Sequence, residues 1–161
     1  MTEQLLSMVA QEVKVRPIIA DVSATLVGNE VQFELEWRKE GDPGRKKGPI
    51  DIGKGEPSTP IHFHLRDDTR LNLSFKSDPK EAMWVNTTGC PPTEAGDAGQ
   101  IGFTSSSRNL LKITNANAGG ECTMYYMLRF DGDAHAGPDG TLQPPYEFDP
   151  IIRNGGGGID I

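Results

Sequence analysis

The amino-acid sequence predicts an all-β domain, a two-sheet antiparallel β-sandwich of about eight or nine strands. Three observations predict it. Apolar residues recur with a period of two along several short stretches, as on a strand with one buried and one wet face. Gly (19) and Pro (12) are abundant and gather between those stretches, where turns are needed. There is no internal repeat and no alternation of strand and helix patterns that would imply a parallel α/β sheet. Hairpins combined with longer crossings suit Greek-key wiring, so the expected sandwich is jelly-roll or immunoglobulin-like.

The elements follow in chain order. Leu5, Leu6, Met8, Val9 and Val13 make half a helical stripe or an extended arm, so residues 1–16 read as an N-terminal arm or short helix ended by Pro17. Val22, Ala24 and Leu26 alternate, then Val31, Phe33, Leu35 and Trp37, with Gly28-Asn29 between them as a two-residue hairpin turn. That turn sets Leu26 against Val31, Ala24 against Phe33 and Val22 against Leu35, which keeps every apolar pair on one face. Phe33, Leu35 and Trp37 are therefore expected to be buried. A second hairpin is expected between Ile61-Phe63-Leu65 and Leu71-Leu73-Phe75, through the loop Asp67-Asp68-Thr69. A third pairs Ile101-Phe103-Ser105 with Leu111-Ile113, matching Phe103 to Leu111 and Ile101 to Ile113 through Ser106-Ser107-Arg108. Cys122 to Phe130 alternates with two rather apolar faces and should be central in its sheet. Tyr146-Glu147-Phe148 reads as a last short strand and Met83-Trp84-Val85 as another. Residues 39–60, 86–99 and 131–145 are long polar connections, and such loops in a compact domain are often functional.

The chain of 161 residues is read as one domain, 1–161, with a Gly-rich tail at 154–161. Lys plus Arg total 16 and Asp plus Glu total 23, a formal charge of −7. An acidic domain avoids unspecific contact with phosphate backbones, so nucleic acid is not an expected partner. No stretch approaches the roughly 20 apolar residues of a membrane span. Met1-Thr2-Glu3-Gln4 lacks a basic leader and the apolar run after it is short, which places the chain in the cytoplasm with Cys90 and Cys122 reduced.

Few residues suggest chemistry. His62 and His64 share one face of a strand, and His135 is the one further histidine; together they are the candidate ligands of a divalent transition metal. Such a centre would resemble that of a cupin. The Glu that follows a cupin's His-x-His, and its later His near an Asn, have no counterpart here, and the second hairpin would set His64 against Asn72 and His62 against Ser74 as a plain polar face. The run Asp131 to Gly140 looks like a calcium loop, yet His135, Ala136 and Leu142 stand where an EF-hand needs Asp or Asn, Gly and Glu. Arg45-Lys46-Lys47, near Arg38 and Lys39, is the one dense basic patch and reads as a solvated loop. Cys122 has inward parity and reads as an inert core thiol. Trp37 reads as core, and Trp84 is the other indole a sugar would stack on. No catalytic triad, phosphate loop or paired-carboxylate signature occurs, so no catalytic residue is assigned and no cofactor is expected apart from the alternative metal.

The expectation is a non-enzymatic interaction or assembly module acting through its surface and termini, with itself or another protein as partner. Ile159 and Ile161 alternate with Asp160 like a short strand and are the candidate interaction residues at a neighbour's sheet edge. The alternatives are a metal-dependent, cupin-like enzyme on His62, His64 and His135, and a lectin-like or calcium-assisted binder of carbohydrate or another ligand through the long loops.

Overall fold

The computed structural model describes residues 15–87, 96 and 99–157. The expected arm at residues 1–14, Cys90, Ile159 and Ile161 lie outside the described residues. The regular structure of the described chain is almost entirely strand, in two six-stranded sheets and a small third ladder. The first sheet contains β1 (Ile18–Val27), β2 (Glu30–Lys39), β3 (Lys46–Lys47), β5 (Thr59–Asp67), β8 (Ile101–Ser106) and β9 (Leu110–Asn115), in the order β3-β2-β1-β5-β9-β8. The second is centred on β10 (Cys122–Asp131). Around it lie β13 (Tyr146–Phe148), β14 (Ile151–Asn154) and β4 (Ile50–Ile52), with β6 (Ser74–Phe75) and β7 (Met83–Asn86) also on β10. β11 (His135–Ala136) and β12 (Leu142–Gln143) form the small ladder, and α1 (Pro79–Ala82) is one turn capped by the Asp78 side chain, which accepts from the Lys80 N–H.

The sheets are mixed rather than purely antiparallel, and there are more strands than the alternation suggested. β1 runs parallel to β5, and β14 parallel to β4. The first hairpin agrees with its reading residue for residue: Leu26 faces Val31, Ala24 faces Phe33 and Val22 faces Leu35. Gly28 takes the positive φ (64°) that the first central position of a II′ turn requires. β10 is central as expected, and β7 and β13 exist. Inward residues of the two sheets meet in one core, where Phe63 lies 5.8 Å from Tyr126 and Phe33 stacks 5.3 Å from Phe130.

Two expected pairings are corrected. Ile61-Phe63-Leu65 and Leu71-Leu73-Phe75 do not form a hairpin: β5 pairs with β1 and β9, while Phe75 faces Phe130 in the other sheet. The Asp67 carboxylate causes the departure. It accepts from the Thr69 N–H (2.9 Å) and hydroxyl (2.5 Å) and from the Leu73 N–H (2.9 Å). Arg70 and Asn72 then take positive φ values of 65° and 55°, which no strand tolerates. The chain thereby turns out of one sheet into the other, and Leu73 is buried without belonging to a ladder. The third hairpin exists with a different register. Phe103 faces Ile113 and Ile101 faces Asn115, because a bulge after Phe103 absorbs one residue and the Ser107 N–H closes a tight turn on the Leu110 carbonyl.

One side of the sandwich is closed by buried amides. The side chains of Asn115 (β9) and Asn154 (β14) exchange two hydrogen bonds of 2.8 Å. Asn117, at φ 51°, donates its Nδ2 to the Gly53 and Glu56 carbonyls and accepts from the Gly156 N–H. Gly155 and Gly156 fit because a Cβ at either would stand 2.4 Å and 2.6 Å from neighbouring backbone. Gly155–Gly157 are thus held by their own domain, through bonds to Ile52, Gly55 and Gly119, rather than needing a neighbour to order them. Replacing Asn154 by Ala should cost about 3 kcal/mol in urea unfolding, since it strands the buried Asn115 amide; a loss below about 1 kcal/mol would show the clip to be dispensable.

Candidate functional site

The three histidines are not brought together. His62 and His64 lie on the outer face of β5, opposite Lys112 and Leu110 on β9 and beside Ile19 and Asp21 on β1, not opposite Ser74 and Asn72. His135 lies on β11, with Nε2 3.0 Å from the Asn29 carbonyl at the β1–β2 turn. Six residues of strand separate Asp21 from Val27 at that turn, about 20 Å. Among the described residues, no three His, Cys, Asp or Glu side chains are placed to hold a metal ion. In the 131–140 run, Asp131 pairs with Lys76 (2.7 Å), Asp133 accepts from Asn72 (2.8 Å) and Asp139 accepts from the Thr141 N–H (3.0 Å). Those acids stabilise turns, and the Thr141 bonds hold the Asp139 carboxyl below its ordinary range.

The other singled-out residues are also placed. Cys122 is half-buried at the start of β10 rather than fully buried, and its thiol is free. Trp37 is buried in the core. Trp84 lies under the Arg129 guanidinium, 3.8 Å from the ring centroid, so that face is taken. No helix of the described residues is long and apolar enough to cross a membrane.

The feature that sequence reasoning missed is the edge of β2. The Glu40 N–H donates to the Pro17 carbonyl (2.9 Å), directly beyond the pair of Ile18 and Lys39. In an antiparallel ladder the bonded pairs alternate, so even-numbered residues of β2 bond to β1 and the odd-numbered ones turn their N–H and C=O groups outward. On that outer side β3 pairs only with Glu36 and Trp37. The chain then leaves through Gly48-Pro49 to β4, and Pro49 has no N–H with which to extend the ladder. Val31, Phe33 and Leu35 therefore present an edge to which no described strand is paired.

A slot of about 390 Å³ opens beneath this edge, between the two sheets. Its apolar walls are Phe33 and Leu35 on β2 and Phe148, Pro150 and Ile151 on and after β13. Phe33 is half-buried rather than buried, because it stacks 5.3 Å from Phe148 and Phe130 while facing this opening. The slot ends at Gly48-Pro49, and at the far end of β2 a second cavity of about 370 Å³ lies between Glu30 and Val31 and the loop of residues 137–143. Arg45-Lys46-Lys47 is solvent-exposed as expected, but Lys46–Lys47 form the short strand β3 on the edge rather than a loop. Arg45 lies 3.5 Å from Asp21 and 3.6 Å from Glu36, Lys47 lies 3.8 Å from Glu36, and the Lys46 ammonium sits over Trp37.

No protein-family model matches the chain, and no curated protein matches it in sequence.

The edge assignment makes a parity prediction. Val31→Pro removes an outward N–H and should leave the urea midpoint nearly unchanged, whereas Gln32→Pro breaks the bond to β1 and should cost about 3 kcal/mol. Equal losses would disprove the assigned direction of the amides. A second prediction concerns acid. Burial, then Lys112 and His64, hold His62 below its ordinary pKa of 6.5. The unfolded chain then binds the proton more readily, so stability should fall as pH drops from about 6.5 toward the lowered value. His62→Gln should flatten that part of the stability curve, measured by urea unfolding at stepped pH.

Proposed function

We propose that this chain is a non-enzymatic interaction and assembly module of the cytoplasm, which takes up an extended segment of another protein along the edge of β2. The single observation that carries the reading is the edge itself: three residues, Val31, Phe33 and Leu35, with outward backbone groups and no described ladder partner, directly above an apolar slot. Backbone pairing supplies affinity in such strand addition, and the slot selects alternate side chains. A free edge of this kind is normally blocked or covered, so leaving it open has a use. The geometry favours this over a metal-dependent, cupin-like enzyme, whose third histidine would have to come from the far end of the β1–β2 hairpin. It also favours it over a lectin-like or calcium-assisted site, because the acids of the 131–140 run are committed to Lys76, Asn72 and Thr141.

The test is selection from a random-peptide library on the immobilised full chain, with wild type and Val31→Pro in parallel. Wild type should enrich peptides with alternating apolar residues, and Val31→Pro, which blocks the edge without breaking the β1 ladder, should enrich none. Failure of wild type to select any, or equal selection by both, would remove the reading.

A further inference from the structure

Resting on the reading of β2 as a binding edge, we infer that the segment it takes up is a strand of alternating apolar and basic residues, with its apolar side chains in the slot and its Lys or Arg side chains opposite Glu34 and Glu30.

β2 carries Glu30, Gln32, Glu34 and Glu36 in succession on the parity opposite to Phe33 and Leu35, and Glu34 and Glu36 border the rim of the slot. The molecule already shows how this stripe is matched. Where β3 covers the edge, the residue directly opposite Glu36 is Lys47, and Arg45 reaches the same carboxylate. Opposite charges facing each other across a ladder stabilise the pair, and like charges oppose it. Beyond Gly48-Pro49 the stripe continues without its basic strand. Among the described residues Glu34 and Glu30 have no ion-pair partner. A strand continuing the line of β3 would place one residue opposite Glu34 and another, four further on, opposite Glu30. Those are the two positions for basic side chains.

The intervening positions face inward. They lie opposite Leu35, Phe33 and Val31 and enter the slot over Phe148 and Pro150, where a charge would be desolvated at a cost. Alternation of basic and apolar residues therefore follows from the pleat alone.

The same edge excludes one occupant. Two copies could align their β2 edges antiparallel about Phe33, since Val31 would then meet Leu35 and both turn their amides outward. That register also sets Glu30 against Glu36, and Gln32 against Glu34, twice over. The place opposite Glu36 is already taken by Lys47 of β3, so this register cannot form without displacing β3, and a covered edge is one way sheet proteins avoid self-association. The charge of −7 over the whole domain points the same way, toward a basic partner.

The experiment uses the full chain and two acetylated, amidated hexapeptides, one alternating valine with lysine and the other valine with glutamate, titrated by calorimetry at low salt. The valine–lysine peptide should bind about tenfold or more tightly than its counterpart, with a difference that shrinks as salt is raised. The double variant Glu30→Lys/Glu34→Lys should reverse the preference, and Val31→Pro should abolish binding of either peptide. If both peptides bind alike and Val31→Pro weakens both, the basic partner is refuted and the β2 edge stands as the site. If neither peptide binds, or if Val31→Pro leaves binding unchanged, the inference falls together with the reading beneath it.

Discussion

The reciprocal carboxamide pair of Asn115 and Asn154 is the constraint from which the shape of the molecule follows. It joins β9 in one sheet to β14 in the other by two bonds of 2.8 Å in the interior. Buried amides are costly unless every group is satisfied, so the arrangement is sharply defined. Asn117 completes it by tying in the turn at residues 53–56 and the glycines after β14. Pinning the sheets along this side sets β5 over β10 and β2 over β13, as the contacts of Phe63 with Tyr126 and of Phe33 with Phe148 record. Along β2, on the opposite side, no comparable amide pair joins the sheets among the described residues, and the slot beside Phe33 and Leu35 opens there.

Charge on the outer surface follows the same division. Where β2 is paired, its carboxylates are answered by Arg45 and Lys47, and Lys39 answers Glu56 nearby at 2.8 Å. On the second sheet Arg129, only 12% exposed, joins Glu81 and Glu147 while covering Trp84. The shared, largely buried Arg129 pairs hold local geometry better than isolated surface pairs do. Among the described residues, Glu30 and Glu34 along the unpaired length of β2 take part in no such network.

The sequence made the local features legible and left the non-local ones hidden. The β1–β2 hairpin was readable because Gly28-Asn29 and two runs of alternation agree on one register, all within twenty residues. β10 was readable because both of its faces are apolar. The parallel pairs β1–β5 and β4–β14 were not, because parallel strands are joined through long crossings that leave no short-range signal. The false hairpin at Phe75 arose from parity: Leu71 and Leu73 alternate correctly, and only the Asp67 side chain, bonded to Thr69 and Leu73, shows that they leave the sheet. The candidate site was hidden for the same reason. Phe33 reads as core by alternation, and the basic run at 45–47 reads as loop. That β2 lies beside the open side becomes visible only when the order of strands in both sheets is known.

The position of β14 has a consequence for how the protein is made. β4 emerges from the ribosome a hundred residues before β14, yet β14 is its one ladder partner among the described strands. A nascent chain that has not yet released Ile151–Asn154 holds Ile50 and Ile52 with no strand to pair with, and Asn115 with no amide to meet. The first sheet can begin to assemble from β1, β2 and β5, and β10 can pair with β6 and β7, while β4 waits for Ile151–Asn154. Closure of the sandwich on the Asn115 side therefore cannot precede synthesis of Asn154, and Ile50 and Ile52 stay unpaired until then.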